Sequence, residues 1–119
     1  MKLYSIIISL LLPLTIAQTS NPKVSLKLDI QHPSTLESYE LSCDPVGGNH
    51  PHPIQACDLL NSINGDLVAF DSIFIPCAKS KRPAVNVTIQ GTYYGAPIHF
   101  ERTHKNYKCA QTVMNGLYP

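Results

Sequence analysis

Residues 43–57 read CDPVGGNHPHPIQAC, and this cysteine-bounded segment sets the architecture around it. Three prolines and a Gly-Gly pair exclude regular structure from residues 44–53. Beyond that loop, apolar residues recur at spacings of three and four, which predicts one amphipathic helix of about three turns. The residues in this pattern are Ile54, Cys57, Leu59, Leu60 and Ile63. The pair Asn64-Gly65 ends the helix, with Gly65 as its left-handed cap.

Strands are predicted on both sides of this helix, because apolar and polar residues alternate there. The alternating segments are residues 23–30, 35–43, 84–90 and 96–102. Residues 91–95 are predicted to form a hairpin turn, residues 66–76 hold a short strand or turn, and residues 103–119 fit no single pattern. Four or five strands that cluster, instead of alternating with helices, indicate an antiparallel α+β domain.

Residues 1–17 have the form of a secretory signal, in which Lys2 precedes an apolar run and Ala17 supplies a small residue at the cleavage site. The apolar run is too short for a membrane span. Cleavage after Ala17 predicts a secreted, extracellular domain of residues 18–119. Of nine basic residues, eight remain without Lys2, against eight acidic ones. The domain therefore has no basic excess to attract a nucleic acid or a membrane surface.

Four cysteines follow the signal, and they are Cys43, Cys57, Cys77 and Cys109. An even number in a small exported chain indicates two disulfides, and the spacing leaves all three pairings open. If neighbours pair, the two loops stabilise the fold by about 3 and about 4 kcal/mol on the chain-entropy account. A zinc site is disfavoured, because the sequence contains no CxxC or CxH pair.

Motifs for catalysis and metal binding are weak in this chain. No GxSxG nucleophile elbow is present, and the carboxylates show no pairing typical of glycoside chemistry. The segment His50-Pro51-His52 fits a rigid proline turn better than a metal site, which needs further ligands. We therefore expect no enzymatic activity, no metal and no cofactor.

A sequon for N-glycosylation occupies residues 86–88, which read NVT. Asn86 lies on the polar face of its predicted strand, so that a glycan there can point into solvent. The alternative is an unmodified strand residue, because attachment of the glycan requires a eukaryotic host.

The densest charge cluster is the segment KSKR at residues 79–82, inside a polar loop of residues 77–83. Cys77 tethers one end of this loop, and Pro83 stiffens the other. An exposed segment that is fixed at both ends loses less entropy when it docks on a partner, so the pattern favours a binding loop. A solvated loop is the plain alternative. Processing after Arg82 is disfavoured by the proline that follows it.

Residues 43–57 resemble the signature of the Streptomyces subtilisin inhibitor family, namely a cysteine, a Gly-rich turn, His-Pro-x-Pro, and Ala-Cys opening a helix. Other segments resemble the family in the same order, and the resemblance covers roughly residues 24–109. These segments are residues 58–60 and 64–67 for the helix and its exit, Cys77 with Pro83 for the reactive loop, and residues 91–95 and 100–102 for the terminal hairpin.

The resemblance implies a five-stranded antiparallel sheet with two helices, and it implies the pairs Cys43–Cys57 and Cys77–Cys109. It also implies a secreted inhibitor of serine proteases whose scissile bond is Lys79–Ser80. Lysine suits the primary pocket of trypsin-like enzymes, which has an acid at its base. Subtilisin-like enzymes are the other implied targets.

The remaining loop residues take their roles from the same resemblance. The reactive loop consists of Cys77, Ala78, Lys79, Ser80, Lys81, Arg82 and Pro83, and Ala78 stands where proline is common. Asn106 is the implied loop-supporting residue, although it precedes Cys109 by three positions where the family has two. A homodimer formed by stacked sheets is implied as well, and a glycan on Asn86 would obstruct it. The alternative function is a secreted binding or effector module that keeps the scaffold without inhibition.

Overall fold

Strand β1 (Val24–Gln31) lies at the centre of a five-stranded antiparallel sheet, with the strand order β3-β2-β1-β4-β5. The other strands are β2 (Leu36–Cys43), β3 (Gly47–Gly48), β4 (Val85–Tyr93) and β5 (Ala96–His104). The helices are α1 (Pro53–Ser62) and α2 (Tyr107–Met114), with 3-10 helices at Leu67–Ser72 and Asn115–Leu117. The computed structural model describes residues 21–72, residue 77 and residues 81–119.

The alternation along β1 explains its central place. Four apolar side chains point to one face and are almost completely buried, and they are Val24, Leu26, Leu28 and Ile30. Leu28 is paired with Tyr39 of β2 on one side and with Ile89 of β4 on the other. Complete burial of such a side chain contributes about 1.5–3 kcal/mol, so this strand alone supplies much of the hydrophobic stabilisation.

Both helices cover the apolar face of the sheet. Ala56 and Leu60 of α1 are completely buried, as are Ala110 and Met114 of α2. The opposite face carries mainly polar residues, which agrees with a sheet that packs on one side only. Within the described part of the chain, no helix has both the length and the apolar character needed to cross a membrane.

The predicted strands and the predicted helix are confirmed. Helix α1 ends as expected, because Gly65 has a φ of +70° and its backbone N–H donates to the Leu60 carbonyl over 2.8 Å. The α+β class and the five-stranded sheet with two helices are confirmed as well. The signal of residues 1–17 lies outside the described residues.

Three local predictions need correction. The loop of residues 44–53 contains the short strand β3, which pairs with the end of β2. Residues 91–95 are not all turn, because β4 continues to Tyr93 and only Tyr94 and Gly95 form the connection. Gly91 remains in the ladder opposite Leu26, where a Cβ atom would collide with the Ser25 carbonyl. The short strand or turn predicted within residues 66–76 is a 3-10 helix at Leu67–Ser72, and residues 73–76 lie outside the described residues.

The loop before α1 is joined to the C-terminal 3-10 helix by His50, which is only 3% exposed. The His50 Nδ1 atom accepts a hydrogen bond from the backbone N–H of His52 at 2.9 Å. Its Nε2 atom lies 2.8 Å from the Leu117 carbonyl oxygen, so Nε2 carries the proton and donates. The ring is therefore held in its neutral form, and a second proton at Nδ1 would break the bond to His52.

We predict that the protein loses stability as the pH falls below about 6.5, the usual pKa of histidine. Burial lowers the pKa of His50, and it also lowers the pKa of His104. Between the lowered folded value and the unfolded one, the unfolded chain binds more protons, so acid favours unfolding. Urea unfolding at about pH 7.5 and about pH 5 tests the prediction. An unfolding free energy that does not decrease towards acid would contradict it.

The matched control is His50→Gln, whose amide can donate to Leu117 and accept from His52 without titrating. This variant should show a smaller loss of stability between the same two pH values. The pH dependence of stability that remains in this variant is then assigned to the other titrating groups, His104 among them.

Candidate functional site

The predicted reactive loop is described at its two ends. Cys77 is described, as are residues 81–83 on the other side, whereas Ala78, Lys79 and Ser80 lie outside the described residues. The bond Lys79–Ser80 therefore stays a prediction. The structure shows how the two described ends of the loop, Cys77 and Arg82, contact helix α2.

The amino-side end of the segment is fixed by a disulfide between Cys77 and Cys109, which lies in the first turn of α2. The other two cysteines, Cys43 and Cys57, join the end of β2 to α1. Both pairings that the resemblance implied are thus confirmed. The second disulfide closes the longer loop, with a sequence separation of 32 against 14 for the first.

The first turn of α2 is held by Asn106, a buried residue at its N-terminus. The Asn106 Oδ1 atom accepts a hydrogen bond from the backbone N–H of Cys109 at 3.0 Å. The Asn106 carbonyl accepts from Ala110 at 3.2 Å, and its backbone is extended, as in a regular N-cap. The resemblance predicted that Asn106 supports the loop. Its side chain contacts the backbone of the cysteine that anchors the loop.

We predict that Asn106→Ala lowers the free energy of unfolding by about 1–2 kcal/mol, because it removes the cap and leaves a buried N–H of Cys109 without this acceptor. The matched control is Asn106→Asp, which keeps an acceptor oxygen in the cap. Urea unfolding of both variants measures the difference. Equal stability of the wild type and Asn106→Ala would show that the cap does not hold α2.

The carboxyl-side end of the segment contacts the same turn of α2. The guanidinium carbon of Arg82 lies 5.0 Å from the centroid of the Tyr107 ring, a cation–π contact. Nearby, Arg102 of β5 donates to the Phe70 carbonyl at 3.0 Å and to Asp71 Oδ1 at 2.9 Å. The 3-10 helix at Leu67–Ser72 is thereby joined to β5.

Sequence reasoning missed Tyr107 and Arg102 as parts of this arrangement. Asn106 carried a usable signal, since asparagine is a preferred N-cap and predicts a helix that starts at Tyr107. No linear pattern connects Arg82 to Tyr107, because the contact forms only once β4, β5 and α2 have packed.

The sequon residue Asn86 lies on the polar face of the sheet, as predicted, and its side chain is half-buried. Its Nδ2 atom, the atom that would carry a glycan, donates to Glu101 Oε1 at 2.9 Å. Its Oδ1 atom accepts from the Thr103 hydroxyl at 3.2 Å. Both partners belong to β5. A glycan would replace one of the two Nδ2 hydrogens and leave the other able to donate to Glu101.

The histidines near residue 50 have structural partners. His50 uses both ring nitrogens for hydrogen bonds to the backbone, and His52 precedes the first residue of α1. Over residues 21–72, 77 and 81–119, no three histidine, cysteine, aspartate or glutamate side chains lie together in a way that could hold a metal ion.

Comparison with known proteins gives a family match and a set of relatives. The family model for subtilisin inhibitor-like proteins matches residues 14–106. Subtilisin inhibitor-like protein 1 of Streptomyces cacaoi is 37% identical over 70 residues, which cover 56% of this chain and 63% of that protein. Trypsin inhibitor STI2 of Streptomyces longisporus is 36% identical over 77 residues, which cover 61% of this chain and 51% of that protein. The chain thus spans between about half and less than two thirds of these curated relatives.

A solved structure shares the fold. Streptomyces caespitosus sermetstatin, crystallised in complex with Bacillus licheniformis subtilisin, matches with a TM-score of 0.59 and 25% sequence identity. The match covers 79% of this chain and 96% of the sermetstatin chain. Together with the two disulfides, the sheet order and the family match over most of the sequence, this similarity leads to one conclusion: the chain belongs to the subtilisin inhibitor-like family.

Proposed function

We propose that this protein is a secreted inhibitor of serine endopeptidases that presents Lys79–Ser80 to the enzyme as a substrate-like bond. The observation that carries the proposal is the fixation of both ends of one basic segment, Cys77 by a disulfide and Arg82 by an aromatic ring, on a single helical turn. Membership of the inhibitor family and the likeness to sermetstatin, which is bound to subtilisin, support it.

The first step of the proposed mechanism is docking without much loss of entropy. A segment that is already restrained at both ends has few conformations left to lose, so more of the contact energy remains as affinity. The loop binds in an extended form and adds backbone hydrogen bonds to the enzyme. Lys79 fills the primary pocket and acts as the anchor.

The second step is retention after cleavage. When the enzyme cuts Lys79–Ser80, the Cys77–Cys109 disulfide still joins the two fragments covalently. The strand that follows the loop remains paired in the sheet, with Val85 opposite His104. The new amine therefore stays close to the acyl group, and its high effective concentration favours religation over release.

The proposed targets are of two classes. Lysine at the primary position matches a pocket with an acid at its base, which trypsin-like enzymes have. One relative of this chain is named a trypsin inhibitor, whereas sermetstatin was crystallised with subtilisin. We propose trypsin-like enzymes as the better target and subtilisin-like enzymes as the weaker one. No enzymatic activity of the chain itself is part of the proposal.

The proposal also covers secretion, glycosylation and assembly. Residues 1–17 direct export, and a eukaryotic host attaches a glycan to Asn86. The chain without this glycan forms a homodimer through its polar sheet face, and the glycosylated chain is a monomer, because Asn86 is on that face. The molar mass in solution before and after enzymatic deglycosylation measures both points.

The direct test is titration of trypsin and of subtilisin, each of known active-site concentration, with the purified mature protein. Residual activity should fall linearly to zero near one inhibitor per enzyme for trypsin. Rapid cleavage without a lasting complex would overturn the proposal.

A second candidate function is a secreted binding or effector module on the same scaffold. Ala78, which stands where proline is common in the family, favours it because alanine restrains the backbone less. This candidate predicts that trypsin cuts after Lys79 quickly and is not inhibited.

A further inference from the structure

We infer that Tyr107 is a positioning residue of the reactive loop, and that its ring holds Arg82 so that the carboxyl-side end of the loop is fixed. The inference rests on the proposed inhibitory function and deepens it. The Cys77–Cys109 disulfide fixes the amino-side end of the loop, and the Arg82–Tyr107 cation–π contact fixes the carboxyl-side end.

The geometry of the contact suits this part. The Arg82 guanidinium carbon is 5.0 Å from the Tyr107 ring centroid, within the range of about 6 Å at which the ring face attracts a cation. Arg82 is exposed, but Tyr107 is half-buried and packs against the hydrophobic core. The ring is therefore the fixed partner, and the guanidinium is the group that it restrains.

Both anchors of the loop belong to the same turn of α2. Tyr107 is the first residue of the helix, and Cys109 follows in the same turn. The Asn106 side-chain oxygen accepts a hydrogen bond from the backbone N–H of Cys109, so that one buried side chain secures the turn from which both anchors extend. The distance between the two ends of the loop is consequently set by a single rigid element.

The contact also connects two chain segments that lie at the same end of the β4–β5 strand pair. Val85, at the start of β4, is paired with His104 at the end of β5, and Tyr107 follows His104 by one tight connection. Arg82 lies just before Val85. The Arg82–Tyr107 contact therefore joins the two chain segments that leave this pair of strands, so the loop is held up to Arg82 and not only from Val85 onward.

The consequence concerns the cleaved form. After cleavage at Lys79–Ser80, only Ser80 and Lys81 precede the Arg82 anchor. Without the ring, the segment before β4 loses this restraint and explores more conformations, which lowers the effective concentration of the new amine. Loss of the contact should therefore shift the equilibrium from intact to nicked inhibitor, and it should weaken inhibition.

The test uses Tyr107→Leu, Arg82→Gln, the double variant, and the control Tyr107→Phe, which keeps the aromatic face. Tyr107→Leu and Arg82→Gln should each weaken trypsin inhibition by about two- to fivefold and lower the ratio of intact to nicked inhibitor by the same factor. This is the range for a cation–π contact that is partly solvated. The double variant should inhibit no worse than the weaker of the two single variants, and Tyr107→Phe should behave as the wild type. Thermal unfolding checks that all four chains are folded.

Hydrogen exchange in the free protein separates this inference from the inhibitory function. Amide exchange over residues 80–82 should become faster in Tyr107→Leu than in Tyr107→Phe, whether or not the protein inhibits trypsin. If the wild type inhibits but the four variants match it, or the two single effects add in the double variant, the inference is wrong and the proposed function stands. If exchange responds but the wild type does not inhibit, the proposed function is wrong and the anchor stands.

Discussion

Replacing Lys79 by glutamate is expected to weaken inhibition of trypsin by at least about a hundredfold, which corresponds to about 2.7 kcal/mol of binding free energy. Removing an anchor side chain from the centre of an interface commonly costs this much. The glutamate adds a repulsive charge opposite the acid at the base of the pocket, where the lysine had an attractive one. Inhibition constants for trypsin, measured with both proteins, give the result.

The matched control is Lys81→Glu, which makes the same change of charge two positions along the same loop. Its effect should be less than about tenfold, because a side chain outside the primary pocket stays partly solvated. Comparable losses in both variants would point to general electrostatic attraction instead of a primary anchor. Unchanged inhibition by Lys79→Glu would show that the scissile bond has been assigned to the wrong residues.

The second large effect is expected from Cys77→Ser combined with Cys109→Ser, which should turn the inhibitor into a substrate. The disulfide joins two cysteines with a sequence separation of 32, so its loss costs about 4 kcal/mol of stability on the chain-entropy account. It also frees the amino-side end of the loop and removes the covalent link between the cleaved fragments. Trypsin should recover its activity over time while the mass of the intact variant disappears.

The variant Cys43→Ser with Cys57→Ser separates stability from loop restraint. This disulfide joins β2 to α1, away from the loop, and its removal costs about 3 kcal/mol on the same account. At a temperature where both double variants are folded, this one should still inhibit. Equal loss of inhibition in the two would mean that the disulfides serve the fold alone.

Much of the fold could be predicted from the sequence because the sheet packs on one side only. The strict alternation of Val24, Leu26, Leu28 and Ile30 corresponds to a buried face of β1. Glycine was harder to interpret. Gly65 ends α1, as its position suggested. Gly91 lies inside a strand, where it allows close packing against the Ser25 carbonyl. A glycine that ends a helix and a glycine that packs closely inside a strand cannot be told apart from the residue type alone.

The C-terminal helix and the anchors of the loop could be predicted less well. Helix α2 has eight residues, and its buried positions, Cys109, Ala110, Val113 and Met114, follow helical spacing over little more than two turns. That run is too short to distinguish a helix by periodicity within residues 103–119. The disulfide pairing came from the resemblance, since spacing leaves three pairings open. The contact between Arg82 and Tyr107 depends on the packing of three separate elements, and local sequence patterns contain no information about it.

The measurement that tests the central claim most directly is the intact mass of the protein after prolonged incubation with trypsin, combined with residual activity of the enzyme. We predict that trypsin is inhibited and that the chain is either intact or heavier by one water. Reduction should then release fragments that end at Lys79 and begin at Ser80. Active trypsin together with cleavage at many lysine and arginine bonds would contradict the claim that a doubly anchored loop acts as a substrate-like inhibitor.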